Sequence, residues 1–188
     1  MNNISFLTKT ETNATQNKFQ ALGLASCNLS NFPDFLSNQD QLQYLDLSYN
    51  NIQGQIPKWL WNTSTKTLMF VNFSHNLLTG FDMYLPNFPW PQLQILDLTF
   101  NKLQALPKII PPYTLVYLVA NNMLQGEIPS SICNLSSLYS LDLSNNKFNG
   151  ILPDCYGSGL VIGVVLGNIV AEKNQHWFVK IKKLQHKM

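Results

Sequence analysis

Across residues 42–57 apolar side chains recur at Leu42, Leu45, Leu47 and Ile52, separated by mostly polar ones. Leu45 and Leu47 alternate with Tyr44, Asp46 and Ser48, and this period of two predicts a short strand with its apolar side inward and its polar side outward. Asn50 follows where the chain must leave the strand. Its amide can bond backbone groups of a neighbouring segment that would otherwise be buried unpaired. Gly54-Gln55-Ile56-Pro57 then predicts a flexible turn, a second core residue and a rigid stop.

The same string returns along the chain. Aligned on the asparagine slot, Cys27, Asn50, Asn76, Asn101, Asn122 and Asn146 are spaced by 23, 26, 25, 21 and 24 residues. Spacings of about 20–29 residues with this apolar pattern mark a leucine-rich repeat, whose strands stack side by side into a parallel sheet. Cys27 fits the slot as the usual substitute for Asn, and Met1–Ile4 reads as the end of an earlier repeat, with Asn2 a further 25 residues back. Leu68, Val71, Phe73, Asn76 and Leu78 keep the pattern but lose its Ile-Pro tail. Pro86, Pro89 and Pro91 make the next connection irregular, with Trp90 packed on it. Leu93–Pro107 restores the register and Leu138–Pro153 is the last full copy. In the fifth coil, reading back from Asn122 puts Tyr117 and Val119 inward and Leu118 outward, whereas reading forward from Leu115 reverses them; the first register is preferred.

The expected fold is therefore an α/β-type repeat solenoid, a horseshoe fragment with a parallel β-sheet on the concave face and an irregular or 3-10 convex side. Residues 1–18 are the remnant of a preceding repeat and 19–155 hold about six repeats. The exposed strand positions form columns: Tyr44, Asp46, Ser48 and Tyr49; Phe70, Asn72, Ser74 and His75; Ile95, Asp97, Thr99 and Phe100; Ser140, Asp142, Ser144 and Asn145. Aromatic groups beside polar ones on a curved surface suit a protein or peptide ligand, and Tyr44, Tyr49, Phe70, His75 and Phe100 are the candidate contacts. Asp46, Asp97 and Asp142 recur with the motif, which points to solubilising the sheet and satisfying local backbone.

Charge and cysteine narrow the class. The net charge is +2, but residues 1–154 carry seven lysines against nine acids, and residues 155–188 carry five lysines against Glu172. A weakly acidic body gives no reason to expect nucleic acid as a partner. With three cysteines, no C-x-x-C pair and three scattered histidines, a zinc site is not expected. Cys133 and Cys155 lie in corresponding parts of adjacent coils, which suits either a staple in an oxidising compartment or two buried thiols. Asn-x-Ser/Thr occurs at Asn3, Asn13, Asn28, Asn62, Asn72 and Asn134, leaning toward the secretory pathway. Against this, no charged and apolar leader follows Met1. A glycan on Asn72 would cover the middle of the concave face.

After Pro153 the pattern changes. Residues 156–171 carry no charge and are followed by Glu172, Lys173, Trp177, Lys180, Lys182 and Lys183. An apolar run, an interfacial Trp and a Lys-rich flank predict a short transmembrane helix at 156–171 and a basic cytoplasmic tail at 172–188. Sixteen residues would span only ~24 Å of a ~30 Å hydrocarbon layer, so a core helix is the alternative. Gly159, Gly163 and Gly167 fall on one helical stripe that admits a close partner helix. Gly157-x-Gly159 resembles the start of a phosphate loop, but the third Gly comes one residue late and no nucleotide fold surrounds it.

The coil LxxLxLSxNxLxGxIP and the stretch LGLASCNLSNFPDFLSNQDQLQYLDLSYNNIQGQIPKWLW resemble the leucine-rich-repeat receptor-like proteins of plants, and the likeness runs from Met1 to Cys155. The segment YGSGLVIGVVLGNIVAEKNQHWFVK is similar to that family's terminal helix and tail. The resemblance implies a kinase-less, single-pass plasma-membrane receptor, active in defence or development, with its repeats outside and its Lys-rich end in the cytoplasm. It implies signalling through a partner receptor kinase, with Gly159, Gly163 and Gly167 facing that partner and the six sequon asparagines carrying glycans. The family's signal peptide, Cys-paired N-terminal cap, further repeats and acidic linker have no counterpart here, so a truncated product is the expectation. The alternatives are a soluble binding or inhibitor module of the same repeat and a non-functional receptor fragment. No enzyme is expected and no cofactor is implied: the kinase signatures are missing, and no Ser/His/Asp or Cys/His set has the spacing for catalysis.

Overall fold

The computed structural model describes residues 18–82, 90–105, 113–135, 137–149, 153, 162–164 and 179–181. Six short strands, Ala21–Gly23, Tyr44–Asp46, Phe70–Asn72, Ile95–Asp97, Val116–Leu118 and Ser140–Asp142, lie side by side in chain order as one six-stranded parallel sheet. Each strand opens one coil of the solenoid, numbered here one to six. The registers align Leu45, Val71, Leu96, Tyr117 and Leu141 in one row, all of them inward and at most 2% exposed.

The inward rows make the core. Leu42, Leu45, Leu47, Ile52 and Leu60 of coil two meet Leu68, Val71, Phe73 and Leu78 of coil three, and Leu93, Leu96, Leu98 and Leu103 of coil four follow. Burying each such side chain contributes about 1.5–3 kcal/mol, so the stack of rows is the main driving force. Tyr117 and Val119 are fully buried and Leu118 is outward, as the register counted from Asn122 requires. Thr114, rather than Leu115, fills the leading apolar slot of coil five, its hydroxyl donating to the Leu93 carbonyl at 3.4 Å. A threonine hides its register because methyl and hydroxyl can serve inside and outside alike.

The ladder asparagines tie the coils. Asn50 Oδ1 accepts from the Cys27 and Leu29 amides at 3.0 and 2.9 Å, and its Nδ2 donates to the Leu24, Leu47 and Ser48 carbonyls. Asn76, Asn101, Asn122 and Asn146 repeat this, each bonding one coil back: Asn101 takes the Leu78 amide at 3.0 Å and gives to the Phe73 carbonyl at 3.0 Å. One side chain thereby satisfies several backbone groups that leave the sheet where no strand partner remains.

The convex side carries 3-10 turns at Asp34–Asn38, Lys58–Asn62 and Ser130–Asn134, each opened by a proline held in extended backbone. Proline fixes the entry and lacks the amide that such a first turn leaves unpaired. Between strand and 3-10 turn, Gln53–Ile56 pairs in parallel with Leu77–Phe81, and Gln125–Gly126 with Lys147–Phe148. Gly54 and Gly126 enter these side strands at φ of +82° and +83°, a conformation that side chains disfavour. Where coil three lacks its Ile-Pro, Phe81 stands opposite Ile56 and Trp90 is buried, tilted on Trp61 at 4.9 Å and donating its indole N–H to the Thr63 carbonyl at 3.0 Å.

Two expectations need correction. Ser48, Ser74 and Ser144 are 3%, 4% and 2% exposed, not outward. The strand ends at the residue before the preceding leucine position, so strict alternation fails there and the chain folds the serine under the turn. In the C-terminal region, Ile162–Val164 is a strand antiparallel to Val179–Ile181, where a helix over 156–171 was expected. A short apolar run rich in Val and Ile suits either state, since its composition carries no period. Gly163 faces Lys180 in this pair; Gly159 and Gly167 lie outside the described residues, as does most of 156–171. Among the described residues no helix is long and apolar enough to cross a membrane.

Candidate ligand-binding face

The outward positions of the six-stranded sheet form columns that run along the solenoid. One strand position aligns Tyr44, Phe70, Ile95, Val116 and Ser140, and the position two residues on aligns Asp46, Asn72, Asp97, Leu118 and Asp142. Tyr44 and Phe70 are stacked with centroids 4.2 Å apart and planes at 9°. The Tyr44 hydroxyl donates to Asp46 Oδ2 at 3.3 Å, and partial burial followed by the Asp46 charge raises its pKa.

The middle column is tied to its own backbone. Asp46, Asn72, Asp97 and Asp142 each accept through Oδ1 the amide of the residue two positions on, at 2.9, 3.0, 2.9 and 3.0 Å. Asp97 takes the Thr99 hydroxyl as well, at 2.8 Å. This local turn is the reason the motif repeats an Asp followed by Ser or Thr. Asn72 serves as well as Asp, so the turn needs the oxygen and not the charge.

At the far rim of the sheet lies a second column, Ser26, Tyr49, His75, Phe100, Asn121 and Asn145, all at left-handed φ between 52° and 56°. Asn tolerates that conformation, and Asn145 donates to Asn121 Oδ1 at 2.9 Å. Tyr, His and Phe do not favour it, yet their rings form one continuous stack: Tyr49 on His75 at 4.0 Å and 10°, His75 on Phe100 at 4.2 Å and 12°. Tyr49 and Phe100 are 59% and 48% exposed. Stacking of each ring pair is worth about 0.5–1.5 kcal/mol, close to the backbone strain it accompanies. The five candidate aromatics thus fall into two stacks, one at either side of the polar middle column.

Sequence reasoning missed a further column. Met69, Leu115 and Tyr139 are 37%, 39% and 71% exposed one position before Phe70, Val116 and Ser140. Their large apolar side chains at a non-leucine slot were the available signal. Coil five is the departure within the face, with Leu118 and Ala120 standing where the neighbouring coils carry Asp with Ser or Thr.

The sequon asparagines are placed differently. Asn28 is exposed, its Oδ1 taking the Asn51 amide at 2.8 Å, and Asn62 is exposed at the end of a 3-10 turn. Asn72 sits half-buried on the concave face, and Asn134 closes the 3-10 turn Ser130–Asn134; Asn3 and Asn13 lie outside the described residues. Cys27 is a buried free thiol at the first ladder position, and Cys133 is disulfide-bonded; Cys155 lies outside the described residues. No group of His, Cys, Asp and Glu among the described residues could hold a metal ion.

Comparison with known proteins places this face in context. The family model described as Leucine Rich Repeat matches residues 41–63 and 137–158. The chain is 47% identical over 135 residues to Receptor-like protein 7 of Arabidopsis thaliana, covering 71% of this chain and 14% of that protein. It is 44% identical to Receptor-like protein 47 of the same plant over 62% of this chain and 15% of that one, and 31% identical to Receptor-like protein 35 over 88% and 16%. The chain therefore spans about a seventh of the length of these relatives. Among solved structures, the ectodomain of the Arabidopsis receptor kinase GASSHO1/SCHENGEN3, in complex with Casparian strip integrity factor 2, matches with a TM-score of 0.63 at 32% identity, over 72% of this chain and 16% of that one. The receptor kinase HAESA, in complex with the peptide hormone IDA and the co-receptor SERK1, matches at 0.59 and 29%, over 67% and 21%.

Proposed function

This chain belongs to the leucine-rich-repeat receptor-like proteins of plants, and from that membership we propose that its coils read an extracellular protein or peptide on their concave face and act with a partner receptor kinase at the plasma membrane. The observation that carries the reading is the ring stack Tyr49–His75–Phe100, with Tyr49 and Phe100 exposed and His75 half-buried between them, at backbone positions where asparagine would be less strained. Two similar ectodomains are solved with Casparian strip integrity factor 2 and with the peptide hormone IDA, the latter with its co-receptor SERK1 as well, which supports a peptide as ligand and a kinase as partner. The uncharged run 156–171 and its lysine flank support attachment to a bilayer, and exposed Asn28 and Asn62 are the sequons best disposed to carry glycans. A soluble binding module of the same coils is the second reading, favoured by the strand pairing of Ile162–Val164 with Val179–Ile181.

Fractionation of the native protein with glycosidase treatment separates the two. A membrane-bound band that drops in mass on deglycosylation is expected; an unshifted band in the soluble fraction overturns the receptor reading. A shifted soluble band favours the secreted module.

A further inference from the structure

We infer that the segment after the last coil is a detachable cap: the strand pair of Ile162–Val164 with Val179–Ile181 closes the end of the solenoid, and entry of residues 156–171 into a bilayer removes it. The second half rests on the bilayer attachment proposed above; the first half does not.

Ser140–Asp142 stands last in the order of the six-stranded sheet. An array left open at such an end exposes one edge of its sheet and the inward row of its final coil. Here that row is dry. Leu138, Leu141 and Leu143 are at most 2% exposed, as deeply buried as the same row in coils two to four. At the other end of the sheet the matching residues by register are Phe19, Leu22 and Leu24. Phe19 is 38% exposed, Leu22 is half-buried and Leu24 is 8% exposed. Beyond its neighbour in coil five, Ser140–Asp142 has Val179–Ile181 lying against it. That strand pairs with Ile162–Val164 and stays outside the six-stranded sheet, so it covers the end without adding a coil.

The two seats of the segment exclude each other. A single run that crosses the hydrocarbon layer must be helical, because only a helix satisfies its backbone within itself. In the cap Ile162–Val164 is extended and paired across to Val179–Ile181. Crossing at 156–171 also puts 179–181 on the far side of the bilayer from the coils, out of reach of Ser140–Asp142. Last coil and bilayer therefore compete for one segment, and a gain in either hold is a loss to the other.

The test uses the full chain and reads amide hydrogen exchange, in buffer and with phosphatidylcholine–phosphatidylserine vesicles. In buffer, residues 138–143 are expected to exchange at least about tenfold more slowly than 19–24 at the opposite end. With vesicles, 138–143 should reach the rate of 19–24 while 42–47 stay slow. Lys180→Pro breaks the strand pairing and lies outside the uncharged run. Its comparator is Lys180→Thr, which loses the same charge and suits a strand. Residues 138–143 are expected to exchange at least about tenfold faster in the proline variant, and slow exchange at 42–47 verifies that both variants fold. The proline variant should also bind vesicles at least about threefold more tightly, since insertion no longer displaces a cap.

Equal exchange at the two ends in buffer, or equal exchange of 138–143 in the two variants, overturns the cap. Vesicle binding that leaves 138–143 as slow as in buffer overturns the competition, while bilayer attachment stands. A wild-type chain and proline variant that both fail to bind vesicles overturn the competition and bilayer attachment together.

Discussion

Coils two to four and coils five and six meet the same backbone demand in two ways. At the rim column every coil turns through left-handed φ, and in coils five and six Asn121 and Asn145 take it and bond each other at 2.9 Å. In coils two to four Tyr49, His75 and Phe100 take it and stack. The fold fixes the dihedral angle and leaves the side chain open. Where asparagine stands the position serves the backbone, and where an aromatic ring stands it serves the surface. One residue further on the freedom ends, because Asn50, Asn76, Asn101, Asn122 and Asn146 all point inward and carry the same bonds.

That contrast can be broken at the inward position first. Asn101→Ala leaves the Leu78 amide and the Phe73 carbonyl without their buried partner, and a loss of about 2–5 kcal/mol is expected in chemical denaturation. A loss under about 1 kcal/mol would show that water replaces the amide. The outward position should behave oppositely. Replacing Tyr49, His75 and Phe100 together by Asn removes two stacks and relieves three strained sites, so stability is expected to stay within about 1 kcal/mol while peptide binding is lost. Unaltered binding would demote the stack to a structural ornament of the rim. The reverse exchange, Asn121→Phe, extends the ring column by one coil but forfeits the Asn145 bond. A drop of about 0.5–1.5 kcal/mol in stability is expected, measured by thermal melting.

The smallest effect is at Tyr117, a fully buried tyrosine in a slot that other coils give to leucine or valine, whose hydroxyl has no hydrogen-bond partner among the described residues. Tyr117→Phe is expected to leave neutral-pH stability unchanged or raise it by about 1 kcal/mol. Burial raises the folded phenol's pKa above its ordinary value. The unfolded chain therefore loses this proton first, and stability falls as pH rises above about 10. Denaturation profiles between neutral and alkaline pH should show a shallower fall for Tyr117→Phe; parallel profiles would mean that the phenol ionises without unfolding.

Much of this was legible from the spacing of leucine and asparagine. The period, the inward rows and the register of coil five follow from counting along the asparagine slot, because one asparagine per coil must meet the same backbone groups. The outward position of Tyr49, His75 and Phe100 was legible as well, since they interrupt a polar slot. Their left-handed backbone and mutual stacking were not, because neighbours across coils stand about 25 residues apart in sequence. Ser48, Ser74 and Ser144 misled because alternation was carried past the end of the strand. Ile162–Val164 misled for a different reason: an uncharged Val- and Ile-rich run reads alike as strand or helix, and only its pairing with Val179–Ile181 distinguishes them.

The ladder amides have a consequence for length. Their bonds to the neighbouring coil span between 19 and 29 residues and reach no further. Each coil is thus specified by its predecessor alone, as a brick is by the course beneath it. Inserting or excising one whole coil leaves every remaining junction with the partners it had before, whereas a cut of half a coil strands an amide on both sides. Such a chain is quantised: it can be lengthened or shortened only in units of its own period.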